Sequence, residues 1–459
     1  MKLCGVCVLV PLAILASPGG AAPGGVVYES RERPDLLDAS SPQGLRVVQI
    51  TNGGESGSWN VYTEAHVFTP DSRRFIFERN GAWGHGPYWL CDVKDRFALR
   101  PLIQEEGATA PSVSPDGKWV YYIVIASAHG LWGYNEYDAP PPSPGAPALK
   151  LMRVSLGDYK SETVLVIDDK VPGTSYRPSR IYEFSSISSD GRKLCVVCFL
   201  GDGKTPNAPF GLLVFDLRNR TSSVIALGPD FGNSHPQYSR SEDPRFSRDI
   251  LVQHDNGSTY DPSGKHLTRA TEPGIDLHVI RDDGQNWRDI PIGRDGVEHV
   301  QGHQQFRGRM NTVLSSMSMK GKNRILEAFP IPTDDKTSHT GFKIPGGKYV
   351  DITRNLEHAA FVHFSPDLTG MHIVSDTRGV DAKTERATAG LVIGTLSEGP
   401  NPELTVLPLL DTHSSFGNTQ PSHPHPFFSP DGSMVFFNSD ESGRPQVYMV
   451  TGYKFPAAR

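Results

Sequence analysis

The chain has 459 residues, 37% of them hydrophobic and 9% aromatic, which is enough apolar material for a sizeable core. Its 46 glycines and 38 prolines argue against long helices and point to many turns. A formal net charge of −6 disfavours a general nucleic-acid binder, whose affinity rests on neutralising phosphates.

At the N-terminus Lys2 precedes an apolar run from Leu3 to Ala16 and then small residues, the layout of a secretory signal with cleavage after Ala22. The run is shorter than the roughly 20 residues a spanning helix needs. Residues 1–22 are therefore expected to be removed and residues 23–459 to be exported, periplasmic or secreted, with no membrane contact. The mature chain keeps Cys91, Cys195 and Cys198, too few for a disulfide framework. Cys195 and Cys198 alternate with valines in "KLCVVCFL" and are expected as buried thiols in a strand.

The remainder repeats. A Ser-Pro-Asp-Gly-like turn followed by an apolar strand recurs as "VFTPDSRRFIF" from Val67, "SVSPDGKWVYYIV" from Ser112, "SISSDGRKLCVVCF" from Ser186, "HFSPDLTGMHIVSD" from His363 and "FFSPDGSMVFFNSD" from Phe427. Degenerate copies begin at His235 and His303. Each copy predicts a hairpin, because the turn residues tolerate a tight reversal while alternating β-branched and aromatic residues suit half-buried strands. Third strands follow every hairpin, and fourth strands follow six, among them "FALRPLI", "WRDIPIG", "TGFKIPG" and "LTVLPLL". The seventh is supplied by "LRVVQIT", Leu45 to Thr51, which lies before the first hairpin and closes the ring. The expected fold is all-β, a seven-bladed propeller in one domain over residues 23–459, closed by an N-terminal strand. The proline-rich stretch from Asp138 to Ala148 reads as a surface loop inserted in a blade.

First strands of propeller blades line the central channel, so residues at equivalent starts converge at its mouth. Aligned without gaps, His425 and His303 each stand three residues before a phenylalanine, and His235 stands three before Tyr238. His423, two before His425, points to the same face of an extended strand, and Gln420 precedes both. Imidazole nitrogens and an amide oxygen gathered in this way suit a divalent cation. The other histidines, including His66, His254, His278 and His363, lack that register and read as surface or packing residues, with His358 and His363 close enough to the sixth hairpin to reach the mouth.

The stretch "QPSHPHPFFSPDGSMVFFNSDESGRPQVYMV" resembles the C-terminal signature of the oligogalacturonate lyases, polysaccharide lyases with a seven-bladed propeller fold. "GNSHPQYSR", "GHQQF" and "WNVYTEAHVFTPDSRRFIF" resemble further segments of that family. The resemblance implies that His303, Gln420, His423 and His425 hold a manganese-like ion and that His235 is the general base. It also implies an acidic oligosaccharide substrate, cleaved by β-elimination. The family has an arginine where this chain has Gly211, and Arg177, Arg180 and Arg220 are the candidate substitutes. Net negative charge gives little long-range attraction for a polyanion, so short oligomers are expected over polymers. Two other readings stand beside the lyase. One is a TolB-like exported propeller acting as a binding module. The other is a metal-dependent hydrolase, for which Glu64 and Glu183 are the hints. The sequence sets no oligomeric state.

Overall fold

The computed structural model describes residues 25–458 except 54–55, 82–85, 126–147, 203, 263, 265, 269–273, 293–297, 320–321, 331–348, 357–359 and 381–386. The expected leader, nearly all of the 138–148 stretch, the "TGFKIPG" segment and His358 lie outside the described residues. No described helix is long and apolar enough to cross a membrane.

Among the described residues seven antiparallel blade sheets follow one another in chain order, six of four strands and a seventh of five. Closure occurs where expected. Arg46–Gln49 pairs with the last strand, Gln446–Thr451, in a register running from Arg46↔Thr451 to Gln49↔Tyr448. A short strand, Arg31–Glu32, adds a fifth member outside it. The fifth blade differs from expectation: its described fourth strand is Tyr349–Asp351, paired with Leu326–Ala328. The fourth blade carries a small ribbon, Thr259–Tyr260 with His266–Thr268, between its second and third strands.

The turn motif has a specific chemistry. In blades 1, 2, 3 and 7 the Ser or Thr hydroxyl donates to the Asp two residues on, at 2.6–2.7 Å (Thr69–Asp71, Ser114–Asp116, Ser188–Asp190, Ser429–Asp431). The same oxygen accepts a backbone N–H five residues on, as from Trp119 to Ser114 at 3.0 Å. Gly117, Gly191 and Gly432 take the left-handed φ (67°, 69°, 68°) that the reversal needs. In blade 6 the hydroxyl position is held by an aspartate. Asp367 N–H bonds the His372 carbonyl at 2.9 Å, and Gly370 (φ 72°) takes the glycine position.

Apolar side chains between neighbouring blades form the core, with Phe75, Phe77, Phe199, Phe210 and Phe361 each at most 1% exposed. Cys91, Cys195 and Cys198 are free and buried within it, as expected for structural thiols. Burial pushes the Cys198 thiol up to about 12, so it stays protonated and inert.

Candidate metal centre at the channel mouth

One backbone bond fixes the equivalence of the blades. In every blade the first strand ends with an N–H bonded to the carbonyl that opens the second strand: Thr69 to Arg74, Ser114 to Trp119, Ser188 to Lys193, Ser239 to Asp249, Arg307 to Thr312, Asp367 to His372 and Ser429 to Met434. Four residues before each donor stand Ala65, Ala110, Phe184, His235, His303, His363 and His425. Four blades in succession, the fourth to the seventh, thus carry histidine at one structural position. His363 had been set outside the register because the motif Ser365-Pro366-Asp367 aligns two residues out of step with Ser429-Pro430-Asp431. Counting back seven residues from the left-handed glycines, Gly370 and Gly432, brings the two histidines into line.

The backbone aims these side chains at the axis. Ladder pairing slips between Thr109 and Ser112, Ile181 and Ser185, Val300 and Gln304, and Phe361 and Phe364, which is a bulge at the shared position in each case. Ala110, His235 and His425 have φ of 53°, 44° and 44°, and each is followed by proline. Short 3-10 turns, Pro229–Phe231 and Gln420–Ser422, lead into the fourth- and seventh-blade positions.

The rings gather. Centroids of His303 and His363 are 4.5 Å apart, and those of His363 and His425 are 4.0 Å apart. His423 lies 5.5 Å from His363 and 5.6 Å from His425. Single nitrogens of His363, His423 and His425 all lie within 4.8 Å of one another, a spacing that one ion can span. Tyr62 is the hub, with its ring 4.9 Å from Phe184, 5.7 Å from His235, 6.4 Å from His303 and His363, and 5.0 Å from His425.

The rings of His303, His363 and His423 are each held by one nitrogen and offer the other. His423 Nε2–H donates to the Gly417 carbonyl at 2.9 Å, which leaves Nδ1 as the lone-pair nitrogen. His363 Nδ1 meets Asp376 Oδ2 at 2.8 Å, and His303 Nδ1 meets the Tyr62 hydroxyl at 2.6 Å. Asp376 also accepts the His363 backbone N–H at 2.8 Å and that of His425. Burial raises this carboxyl to about 7, with those N–H groups and His423 pulling it down. Burial holds His303, His363 and His425 well below the usual imidazole range, so each is neutral and able to donate a lone pair. Buried His423 Nδ1 and Gln420 Oε1 have no hydrogen-bond partner among the described residues. Two such orphaned acceptors beside neutral imidazoles fit a divalent cation.

His235 stands apart from this set. Its Nδ1 meets Glu64 Oε2 at 2.8 Å, both side chains being under a tenth exposed. Its Nε2 faces Gly302, the residue before His303, 3.9 Å from where a Cβ would sit. Tyr182 and Phe184 wall the ring at 5.4 and 6.2 Å. Glu64 is thus engaged by an imidazole, and burial raises its carboxyl while His235 and Gln237 oppose that rise.

No protein-family model matches the chain, and no curated protein does. Solved structures match it as folds. One described as "Oligogalacturonate lyase in complex with manganese" is 19% identical, with a TM-score of 0.63 over 94% of this chain and 98% of that one. An oligogalacturonate lyase from Vibrio parahaemolyticus is 17% identical, with a TM-score of 0.64 over the same shares. The fold is that of the oligogalacturonate lyases.

Where that resemblance expects an arginine, Gly211 begins the third strand of blade 3 near its mouth end. A Cβ there would meet the side-chain ends of Leu200, Leu213 and Val224 at 2.9–3.4 Å, an apolar setting. Arg220 occupies the turn between the third and fourth strands, beyond the Asp216↔Thr221 pair, at the end of the blade away from the mouth. Arg177 pairs with exposed Asp169 at 3.5 Å. Arg180 opens the first strand of the blade, two residues before Tyr182. Burial lowers its guanidinium from the ordinary value, with Asp261 and Glu183 opposing. Of the three candidates, Arg180 is the one within a first strand, the strand that carries the shared position.

Proposed function

We propose that the protein is a metal-dependent lyase that cleaves short uronate oligosaccharides by β-elimination, with His235 as the general base. The observation that carries this reading is the pairing of a buttressed, separate imidazole with a cluster of neutral imidazoles and an orphaned amide oxygen at one channel mouth. His303, Gln420, His423 and His425 would hold a manganese-like ion, with His363 as a further donor. When bound, the ion supplies positive charge against the substrate carboxylate, a Lewis-acid contribution of several kcal/mol. The solved neighbour in complex with manganese supports that choice of metal.

Proton handling falls to His235. With Nδ1–H donating to Glu64, Nε2 carries the lone pair and faces the gap beside Gly302 and His303. Nε2 removes the proton at C5, the electron pair forms the C4–C5 double bond, and the C4–O4 bond breaks, with water protonating the departing O4. Tyr182 and Phe184 exclude water from the ring flanks. Arg180, which opens the first strand of its blade, would meet a second substrate carboxylate. The expected leader supports export, so the substrate would be met outside the cytoplasm.

The deciding test is an absorbance assay for the conjugated product with manganese-loaded protein and saturated uronate oligomers. His235→Ala is expected to lower the rate by about 10² to 10⁴ with the ion retained. No signal across pectic, alginate and glycosaminoglycan oligomers would instead assign the mouth to a binding module, the reading that the closed apolar setting of Gly211 favours.

A further inference from the structure

Behind His235 lies a second cluster that the mouth does not use. The second strand of blade 4, Asp249–Asn256, and the third, Gly274–Arg281, place His254 directly opposite Asp276, with His278 two residues further along the same face. The fourth strand sets Asp289 opposite His278. One ligand-type atom each from His254, Asp276 and His278 lies within 4.8 Å of the others. The two imidazole centroids are 4.5 Å apart.

The surroundings are those of a built site. His278 Nδ1 meets the fully buried Asp289 at 2.6 Å, the carboxylate–histidine arrangement that orients a metal-binding imidazole. Its Nε2 is hydrogen-bonded to Asp276 Oδ1 at 2.8 Å on the side where His254 stands, a bond that an ion held between the two would replace. Trp287 packs over both rings, 5.1 Å from His254 and 4.6 Å from His278, and Phe231 closes the third side 4.4 Å from His254. Two imidazoles and one carboxylate inside an aromatic wall match the donors of borderline divalent metals, not those of calcium or magnesium.

We infer that His254, Asp276 and His278 form a second, structural site for a divalent transition cation of the zinc or cobalt type. Its place in the fold gives it a task. Gln253, adjacent to His254, donates its backbone N–H to the Ser234 carbonyl at 2.8 Å, and Phe231 belongs to the turn that leads into His235. Ser234 Oγ is bonded to the Phe231 carbonyl as well. An ion clamping the second and third strands therefore braces the 229–235 segment that holds His235 at its left-handed φ.

Full-length protein, stripped by chelator and dialysed against cobalt(II), tests this by metal content and tryptophan quenching. The wild-type chain is expected to hold two ions, His423→Ala one, and His423→Ala combined with His254→Ala or with the near-isosteric Asp276→Asn none. Cobalt affinity of the second site should fall more than about 100-fold in either variant. Quenching should be lost in Trp287→Phe, and the cobalt-dependent rise in Tm of His423→Ala should vanish in the combined variants. A His423→Ala chain that binds no cobalt overturns the inference. So does an Asp276→Asn chain that keeps both ions and the quenching. Both results are read from metal content and quenching, so failure of this inference is distinguishable from failure of the lyase assay.

Discussion

Glu64 reaches His235 from a different blade, and the pair is buried, so the carboxylate sets which imidazole nitrogen carries hydrogen. Glu64→Gln keeps the shape and removes that preference. Activity is expected to fall by roughly 10- to 100-fold with ion content unchanged, measured by the same absorbance assay. His363 makes a sharper test of the mouth: His363→Ala should weaken manganese binding by at least about tenfold, read by equilibrium dialysis, whereas a mere packing role leaves affinity unchanged. His66 lies near Arg240, and burial together with that cation holds it down at about 3. The unfolded chain takes up a proton near 6.5, so the neutral folded form loses ground as pH falls from 6.5 toward 3. Urea unfolding of His66→Gln should show a stability slope shallower by about 1.4 kcal/mol per pH unit in that window. Residues such as these show where sequence reading stops. Histidines at one offset from a hairpin were visible, but Glu64 meeting His235 across 171 residues and Tyr62 filling the axis depend on ring closure, which no local pattern encodes.

The hairpins carried most of the fold into view because their signal is local: a hydroxyl, a carboxylate and a left-handed glycine within four residues specify one reversal. Where the chain builds the same reversal from other parts, the signal slips. In blade 6 Asp367 replaces the hydroxyl and the proline precedes it, which puts the motif two residues out of step, so that only its nearness to the sixth hairpin, and not the register, points to His363. The fourth strand of blade 5 was misplaced for a related reason, since three paired residues, Tyr349–Asp351, give too short an alternation to stand out. Gly302 offers a prediction at this scale. Its φ of 83° precedes His303 within a bulge, and Gly302→Ala is expected to cost roughly 1–3 kcal/mol in thermal or urea unfolding. The same change should lower manganese affinity, because the strained peptide sets the aim of the His303 ring.

For the molecule as a whole, closure joins both ends of the chain in one sheet. Arg33 fastens that seam: it is 8% exposed, contacts Asp35, Gln49, Glu441 and Tyr448, and its charge is held by the two carboxylates. A chain lacking residues 23–51 should expose the Gln446–Thr451 edge and aggregate, measured by size-exclusion chromatography.

Radial repetition has one more consequence. Every blade offers one side chain to the axis from the same backbone offset, and Ala65, Ala110 and Phe184 fill the three places without a histidine. The mouth works as a socket with seven pins, four of them imidazoles, of which His303, His363 and His425 face one another and His235 stands apart. Rewiring is then a one-residue operation: the number of donors around an ion can be raised or lowered by exchanging a single pin, with the hairpin that carries it left intact.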